Sequence, residues 1–470
     1  MNKDLLEITV TDLSDLIQKR EVSPVEITEN ILEYIDYINP KTNAYISITA
    51  DTALKSAREA EAEISSGNYK GMFHGIPIAL KDNIFSNNEL TTMASKIHGD
   101  FVPEYDATVT EKLRKAGAIF TGKLNMHEYA WGADNNNPHF GAVHNPWNPE
   151  KIPGGSSGGS GAAVASHSTY CSLGTDTAGS IRIPSASCGT VGIKPTHGRV
   201  SKYGVYPLAW TLDHVGPIAK SIKDAAAMLS VISGFDAKDP TSVNLPVHDY
   251  LGRLNGNVKG LRIGINEDYF FKNVDSRVEK VIRERIADLE NLGAIIKSVS
   301  MPALRHAQWT VLATGLPEAS TIHHSNLQTR PNDYGADIRL LFEIGELFSG
   351  VDYLQAQQVR RQIKQEFQQV LSQVDVIIAP TIPLIPPSIG EDTVDINGVV
   401  GSYIENSIRF TGPSNLTGLP ALSVPAGVAE GMPVGLQVIG RAFDETTVLN
   451  VGLAIELMQP MKGYRPILAP

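Results

Sequence analysis

The sequence predicts an α/β protein, with a sheet covered by helices on both faces. Three observations carry that expectation. Short apolar runs bounded by turn residues recur along the chain, as at Ile119-Phe120, Val374–Pro380, Ala421–Pro425 and Gly435–Gly440. Between many of them stand segments with helical spacing of apolar residues, and that alternation places helices over a sheet. The chain has 470 residues, 42% hydrophobic and 19% charged, which is ample for a large core and too apolar for a disordered protein.

The elements follow in order. Thr11 is placed to cap a helix with Leu13, Leu16 and Ile17 on one face. Ser23-Pro24-Val25-Glu26 has the form of a capping box with proline at N1, and Ile27, Ile31 and Ile35 follow it. Residues 51–65 are alanine-rich and read as a helix stopped near Gly67, so 1–70 forms an N-terminal helical region. His74–Lys81 reads as a short strand ending at a lysine. Thr108–Lys115 is a helix, Gly117 its stop, and Ile119-Phe120 the next strand. Arg277–Asn291 carries Val278, Val281, Ile282 and Ile286 on one face, with Gly293 as stop before a strand at Ile295-Ile296. There is no internal repeat and no long polar linker. The weakest boundary is the polar stretch 234–257. Residues 1–470 are therefore read as one large domain, with a mostly helical excursion over roughly 265–370 available to shape a substrate pocket.

Forty Lys+Arg against 51 Asp+Glu give a formal charge of −11. That argues against a sequence-independent nucleic-acid binder and against a protein held on anionic lipid, both of which need a basic surface. Two cysteines, Cys171 and Cys188, are too few for a disulfide scaffold or a cysteine-rich metal site, and are read as reduced packing residues. The N-terminus carries acids where a signal peptide needs an apolar run, and nowhere is there a stretch of ~18 apolar residues, the length needed to span a membrane. The expectation is a cytoplasmic protein without metal or organic cofactor.

Residues 154–204 hold 11 Gly and 10 Ser in 51 positions, more than twice the average glycine density of the chain. A flexible linker is one reading. Yet Ala162-Ala-Val-Ala165 follows Gly154-Gly-Ser-Ser-Gly-Gly-Ser-Gly161 directly, and a linker would be flanked by polar residues. Glycine in such number suits a backbone that turns sharply or approaches a ligand closely. Three local patterns compete for the chemistry. Gly117–Lys123 begins like a phosphate-binding loop, but Leu124 stands where Ser or Thr is needed, so it reads as a strand. His127-Glu128 begins like a zinc-binding helix, but Trp131 occupies the second histidine position. Gly154-Gly-Ser156-Ser-Gly158 has the form of a nucleophile elbow, which needs a downstream acid and histidine; His197, His214, His306, His323 and His324 are available.

Over nearly its whole length the chain resembles the amidase signature family of serine hydrolases. The resemblance is carried by Gly75–Asn83, Gly122–Met126, Asn145–Pro149, Gly154–Gly159, Thr175–Pro184, Cys188–Thr196, Gly198-Arg199, Asp213–Pro217, Asn415–Pro425 and Pro433–Gln437. It implies a mixed central sheet of many strands, and a Ser–Ser–Lys triad falling on Lys81, Ser156 and Ser180. In that assignment Ser180 is the nucleophile, Ser156 follows a cis peptide bond and relays the proton, and Lys81 is the general base. The backbone N–H groups of Thr177, Ala178, Gly179 and Ser180 would form the oxyanion hole. The chemistry is coherent: a serine hydroxyl needs a base, and a lysine serves only when burial brings its pKa well below ~10.4. Asp82 would oppose that shift and is expected to point away. Asp176 and Arg182 are expected to form a buried pair, and Ser157 to be structural.

The resemblance leaves the substrate open. Within the family, the A chain of glutamyl-tRNA amidotransferase usually has Gly where this chain has Ala178, Gln at Ile183, Asp at His127, and an acidic residue at the position matched by Ile408. These departures favour a stand-alone amidase acting on a small aliphatic, aryl or anilide amide, with esters and carbamates as further substrates. Two alternatives remain: a glutamine-hydrolysing member of an amidotransferase complex, and a Ser-His-Asp esterase. Met126, Tyr129, Trp131, Ile183 and Ile408 are the expected substrate contacts, with Phe140 and Tyr203 also close in sequence to the motifs. Family members are often dimers, which makes a homodimer the expected assembly.

Overall fold

The computed structural model describes residues 2–470. Its centre is an eleven-stranded mixed sheet. In chain order the strands are β1 (Tyr45–Ile48), β2 (Pro77–Lys81), β3 (Ile119–Leu124), β4 (Cys171–Asp176), β5 (Val191–Lys194), β6 (His214–Ala219), β7 (Arg262–Ile265), β8 (Ile295–Ser298), β9 (Val376–Pro380), β10 (Ala421–Ala429) and β11 (Met432–Gly440). Across the sheet they run β1-β3-β2-β4-β6-β5-β10-β11-β9-β7-β8. β2 is parallel to both β3 and β4, and β7 is parallel to β9 and β8, whereas the centre from β4 to β9 is antiparallel. Every residue of β2, β4, β9 and β11 is buried. Successive side chains of a strand point to opposite faces, so this pattern means that both faces are covered.

The sequence expectation for the first helix moves by two residues. Thr9, not Thr11, caps helix Val10–Gln18 by accepting from Asp12 N–H, while Thr11 bonds Asp224 at 2.9 Å. Ser23 caps helix Pro24–Thr42 with Pro24 in its first turn, and helix Ala50–Ser65 follows. Thr108–Lys115 is helical as its periodicity predicts. The runs at 421 and 435 extend toward each other into one hairpin, closed at Glu430 and Gly431 where both φ angles are positive (50° and 77°). That is the geometry a tight two-residue hairpin turn needs.

The expected helical excursion divides in two. β7, helix Ser276–Asn291 and β8 form a β-α-β unit that continues the main sheet at its edge. The helical part runs from Pro302 to Gln373 as a short turn and helices Ala307–Thr329, Ala336–Gly345 and Gly350–Gln373. Residues 234–257 carry no helix or strand. No helix among the described residues is long and apolar enough to cross a membrane.

Candidate active site

β2 delivers Lys81 to the site from the middle of the sheet. The side chain is fully buried, and its Nζ lies 2.8 Å from Ser156 Oγ and 2.8 Å from Thr175 Oγ1 on β4. Burial pulls the Lys81 pKa from the ordinary lysine range down to about 7, against the opposing attraction of Asp176 and Asp213. Asp82 faces away: its Oδ2 accepts from Thr92 N–H, Thr92 Oγ and Ala94 N–H.

Ser156 sits in the turn before helix Gly158–Ala165, and the Gly155–Ser156 peptide bond is cis. Only glycine fits at 155, because a Cβ there would come within 2.9 Å of the Gly132 oxygen and the Ala133 carbonyl carbon. Ser157 bonds the Thr175 carbonyl at 3.2 Å, and its N–H donates to the Ser180 carbonyl at 3.3 Å. The two serine-bearing turns are thus joined backbone to backbone.

Ser180 lies in the turn between β4 and helix Arg182–Cys188. Asp176 holds that turn. Its carboxylate accepts from Gly179 N–H (2.8 Å), Ile181 N–H (3.2 Å), Arg182 (2.9 and 3.0 Å) and Asn415 Nδ2 (2.8 Å). Arg182 in turn donates to Ser414, Asn415 and Gln437. Both members of this pair are fully buried, and each charge is met by several hydrogen bonds, the condition under which a buried pair is tolerated. The Gly179 N–H is committed to Asp176, while Thr177, Ala178 and Ser180 line a cleft.

That cleft has a cavity volume of about 60 Å³. Trp131, Ile183 and Ile408 line it. Met126 and Tyr129 do not. Met126 is core, and Tyr129 is buried among His98, Tyr206, His323 and Tyr334, with its hydroxyl 2.7 Å from His98 Nδ1. Sequence reasoning missed Leu208, Leu212, Val311, Leu312 and Ile404, which complete the wall. Val311 and Leu312 come from the excursion, where ordinary helical periodicity hides a pocket role. Phe140 packs against the core and Tyr203 lines a second, adjoining cleft.

The rival motifs have structural roles. Gly117–Lys123 runs into β3, with Lys123 buried against the Ile84 carbonyl. His127 lies between Asp134 (2.9 Å) and Asp337 (3.0 Å), and no group of three or more potential metal ligands occurs among the described residues. Ser156 is paired with Lys81 and not with a histidine, which removes the elbow reading. Both cysteines are buried and free.

The family model described as Amidase matches residues 26–449. The chain belongs to the amidase signature family. A curated relative from Geotalea daltonii, the A chain of glutamyl-tRNA(Gln) amidotransferase, is 42% identical over 96% of this chain and 97% of its own. The crystal structure of the corresponding amidotransferase A chain from Thermotoga maritima superimposes with a TM-score of 0.85 at 33% identity, covering 100% of this chain and 99% of the other. A bacterial aryl acylamidase of the amidase signature family gives a TM-score of 0.91 at 25% identity, covering 98% of each chain. These likenesses correct one expectation: this amidase signature chain is not nearer to stand-alone amidases than to the amidotransferase A chains. It is a hydrolase of carbon–nitrogen bonds other than peptide bonds.

Proposed function

We propose that this amidase hydrolyses a carboxylic amide through an acyl-Ser180 intermediate. The observation that carries the proposal is the fully buried Lys81 amine, 2.8 Å from Ser156 Oγ, with its pKa brought down to about 7. Neutral Lys81 takes the Ser156 proton as Ser156 takes that of Ser180. The Ser180 oxygen then attacks the amide carbon, and the oxyanion is met by the N–H groups of Thr177, Ala178 and Ser180. Collapse breaks the C–N bond, and the proton held on Lys81 returns through Ser156 to the leaving nitrogen. Water repeats the sequence on the acyl-enzyme and releases the acid.

The cleft supports a small apolar acyl group. No Asp, Glu, Lys or Arg is among its lining residues. The ammonium of glutamine would lose its water there without gaining a partner. The relatives support a second reading, in which the chain hydrolyses glutamine and works with a partner chain: the names borne by relatives 39–42% identical over nearly the full chain point that way. A panel of aliphatic amides, anilides, carbamates and glutamine, read by product mass with and without co-purifying protein, separates the two. Turnover of apolar amides by the isolated chain supports the first reading. Glutamine turnover that appears only with a partner supports the second. Full activity of Lys81→Ala would overturn the triad.

A further inference from the structure

The turn that carries Ser180 is anchored along its length. Asp176 accepts from Gly179 N–H and Ile181 N–H, and Thr411 Oγ1 donates to the Ala178 carbonyl. A further anchor lies at the start of the turn, where Thr177 Oγ1 donates to Asp213 Oδ1 at 2.6 Å. The register of the sheet brings these two residues together. β4 and β6 are antiparallel and their last pair is Asp176 with His214, so Thr177 and Asp213 stand opposite each other one step beyond the ladder.

The Asp213 carboxylate is the fixed partner. It accepts from Leu208 N–H at 2.9 Å and from Ala209 N–H at 3.1 Å to each oxygen. The Ala209 carbonyl accepts in return from Leu212 N–H and Asp213 N–H, at 2.8 and 2.9 Å, so the turn 208–213 is closed on itself. Leu208 and Leu212 of that turn line the apolar cleft. A hydroxyl bonded to a carboxylate at this length makes a bond roughly twice as strong as a neutral one. The Thr177 side chain cannot rotate without giving it up.

We infer that Asp213 is a positioning residue for the hydrolysis: by holding the Thr177 side chain it aims the Thr177 N–H at the oxyanion, and it ties the oxyanion turn to the facing wall of the cleft. The inference rests on the acyl-Ser180 reading. An oxyanion donor acts only when it is aimed before the charge forms, and losing one typically costs ~10²–10³ in turnover. Asp213 also reaches the base. Burial lowers the Lys81 pKa, and the negative charges of Asp176 and Asp213 oppose that. Asp213 itself faces Lys202, with Glu318 as the neighbouring acid. Removing the Asp213 charge while Asp176 stays therefore lets Lys81 lose its proton at lower pH.

The test measures kcat, KM and the pH profile on one small amide for the wild type, Thr177→Val, Thr177→Ser and Asp213→Asn. Thr177→Val keeps the backbone N–H and the Asp213 charge and removes only the bond between them. Its kcat is expected to fall by about tenfold or more, with KM within about twofold of the wild type. The midpoint of its kcat/KM profile stays at about 7. Thr177→Ser keeps the hydroxyl and is expected to run about tenfold faster than Thr177→Val. Asp213→Asn is expected to lose kcat and, in addition, to move the midpoint to lower pH. Equal kcat in Thr177→Val and Thr177→Ser would overturn the aiming role, even where Asp213→Asn does not fold. An unmoved midpoint in folded Asp213→Asn would overturn the action on the base. Wild-type turnover that Lys81→Ala abolishes, with kcat unchanged in Thr177→Val, would overturn this inference alone. Absence of turnover on every amide would overturn the acyl-Ser180 reading and this inference with it.

Discussion

Lys81 is expensive to bury and useless if exposed, so its energetics and its chemistry are linked. Its pKa is about 7 in the folded protein and near ~10.4 unfolded. Between those values the unfolded chain holds more protons on this residue, so its contribution to stability rises with pH across that window and is lowest below pH 7. Lys81→Met is therefore expected to be catalytically dead yet more stable than wild type at pH 7, with the gain shrinking toward pH 10; urea unfolding of both at pH 7 and 9.5 checks this. In the wild type, kcat/KM is expected to rise as pH passes through about 7, where the lysine becomes neutral. A profile flat from pH 5 to 9 with chemistry limiting would contradict that role. Asp176 behaves in the opposite way. Asp176→Asn leaves Arg182 buried without its countercharge and should destabilise the protein by about 3–5 kcal/mol, measured by the same unfolding. These residues were legible in the sequence because their motifs fix both type and spacing. The role of the Gly179 amide was not, since its commitment to Asp176 is a property of the turn and not of the residue type.

At the scale of elements, helix Ala336–Gly345 is fastened to the catalytic region at its first turn. His127 Nε2 meets Asp337 at 3.0 Å, Gly335 N–H donates to Glu128 at 2.7 Å, and the His127 N–H donates to the Ser156 carbonyl at 3.1 Å. Phe342 of the same helix packs edge-on against Trp131 of the cleft at 6.2 Å between centroids. Burial disfavours the charged imidazole, but Asp134 and Asp337 outweigh it and raise the His127 pKa to about 10. The sign follows: against an unfolded value of ~6.5, its contribution is complete below that pH and is lost as pH rises through about 10. Asp337→Ala should loosen the helix, seen as faster amide exchange over 336–345 and a raised KM for bulky acyl groups, with kcat on a small amide nearly unchanged. Unchanged exchange would show that the clamp does not hold the helix. The helix itself was legible only as part of a broad helical excursion. Its docking depends on His127 and Glu128, which are more than 200 residues away in sequence, and short-range patterns carry no such information.

Over the whole molecule, the strands segregate by chain half. β1 to β6 occupy one side of the sheet and β7 to β11 the other, meeting where β5 pairs with β10 through Lys194 and Ala421, Ile193 and Leu422, and Gly192 and Ser423. Alternating strands and helices made the α/β class readable, but nothing local in the sequence announces this seam, because strand order is set by long-range pairing. The site straddles it. Ser180 and Arg182 come from the first half, whereas Ser414, Asn415 and Gln437, which hold Arg182, come from the second. Neither half can satisfy that guanidinium alone, and separation would expose two strand edges and strip the Asp176–Arg182 pair of its hydrogen bonds to Ser414, Asn415 and Gln437. The connecting stretch 234–257 is free of helix and strand, and Asn244 and Leu245 are exposed. A chain cut between Asn244 and Leu245 should therefore stay assembled: co-expressed fragments 1–244 and 245–470 are expected to co-purify, unfold in one transition and retain amidase activity, while each fragment alone is unfolded or aggregated. Independent folding of the fragments, with two separable transitions, would mean that the seam joins two autonomous domains and that the buried network around Arg182 does not bind them into one cooperative unit.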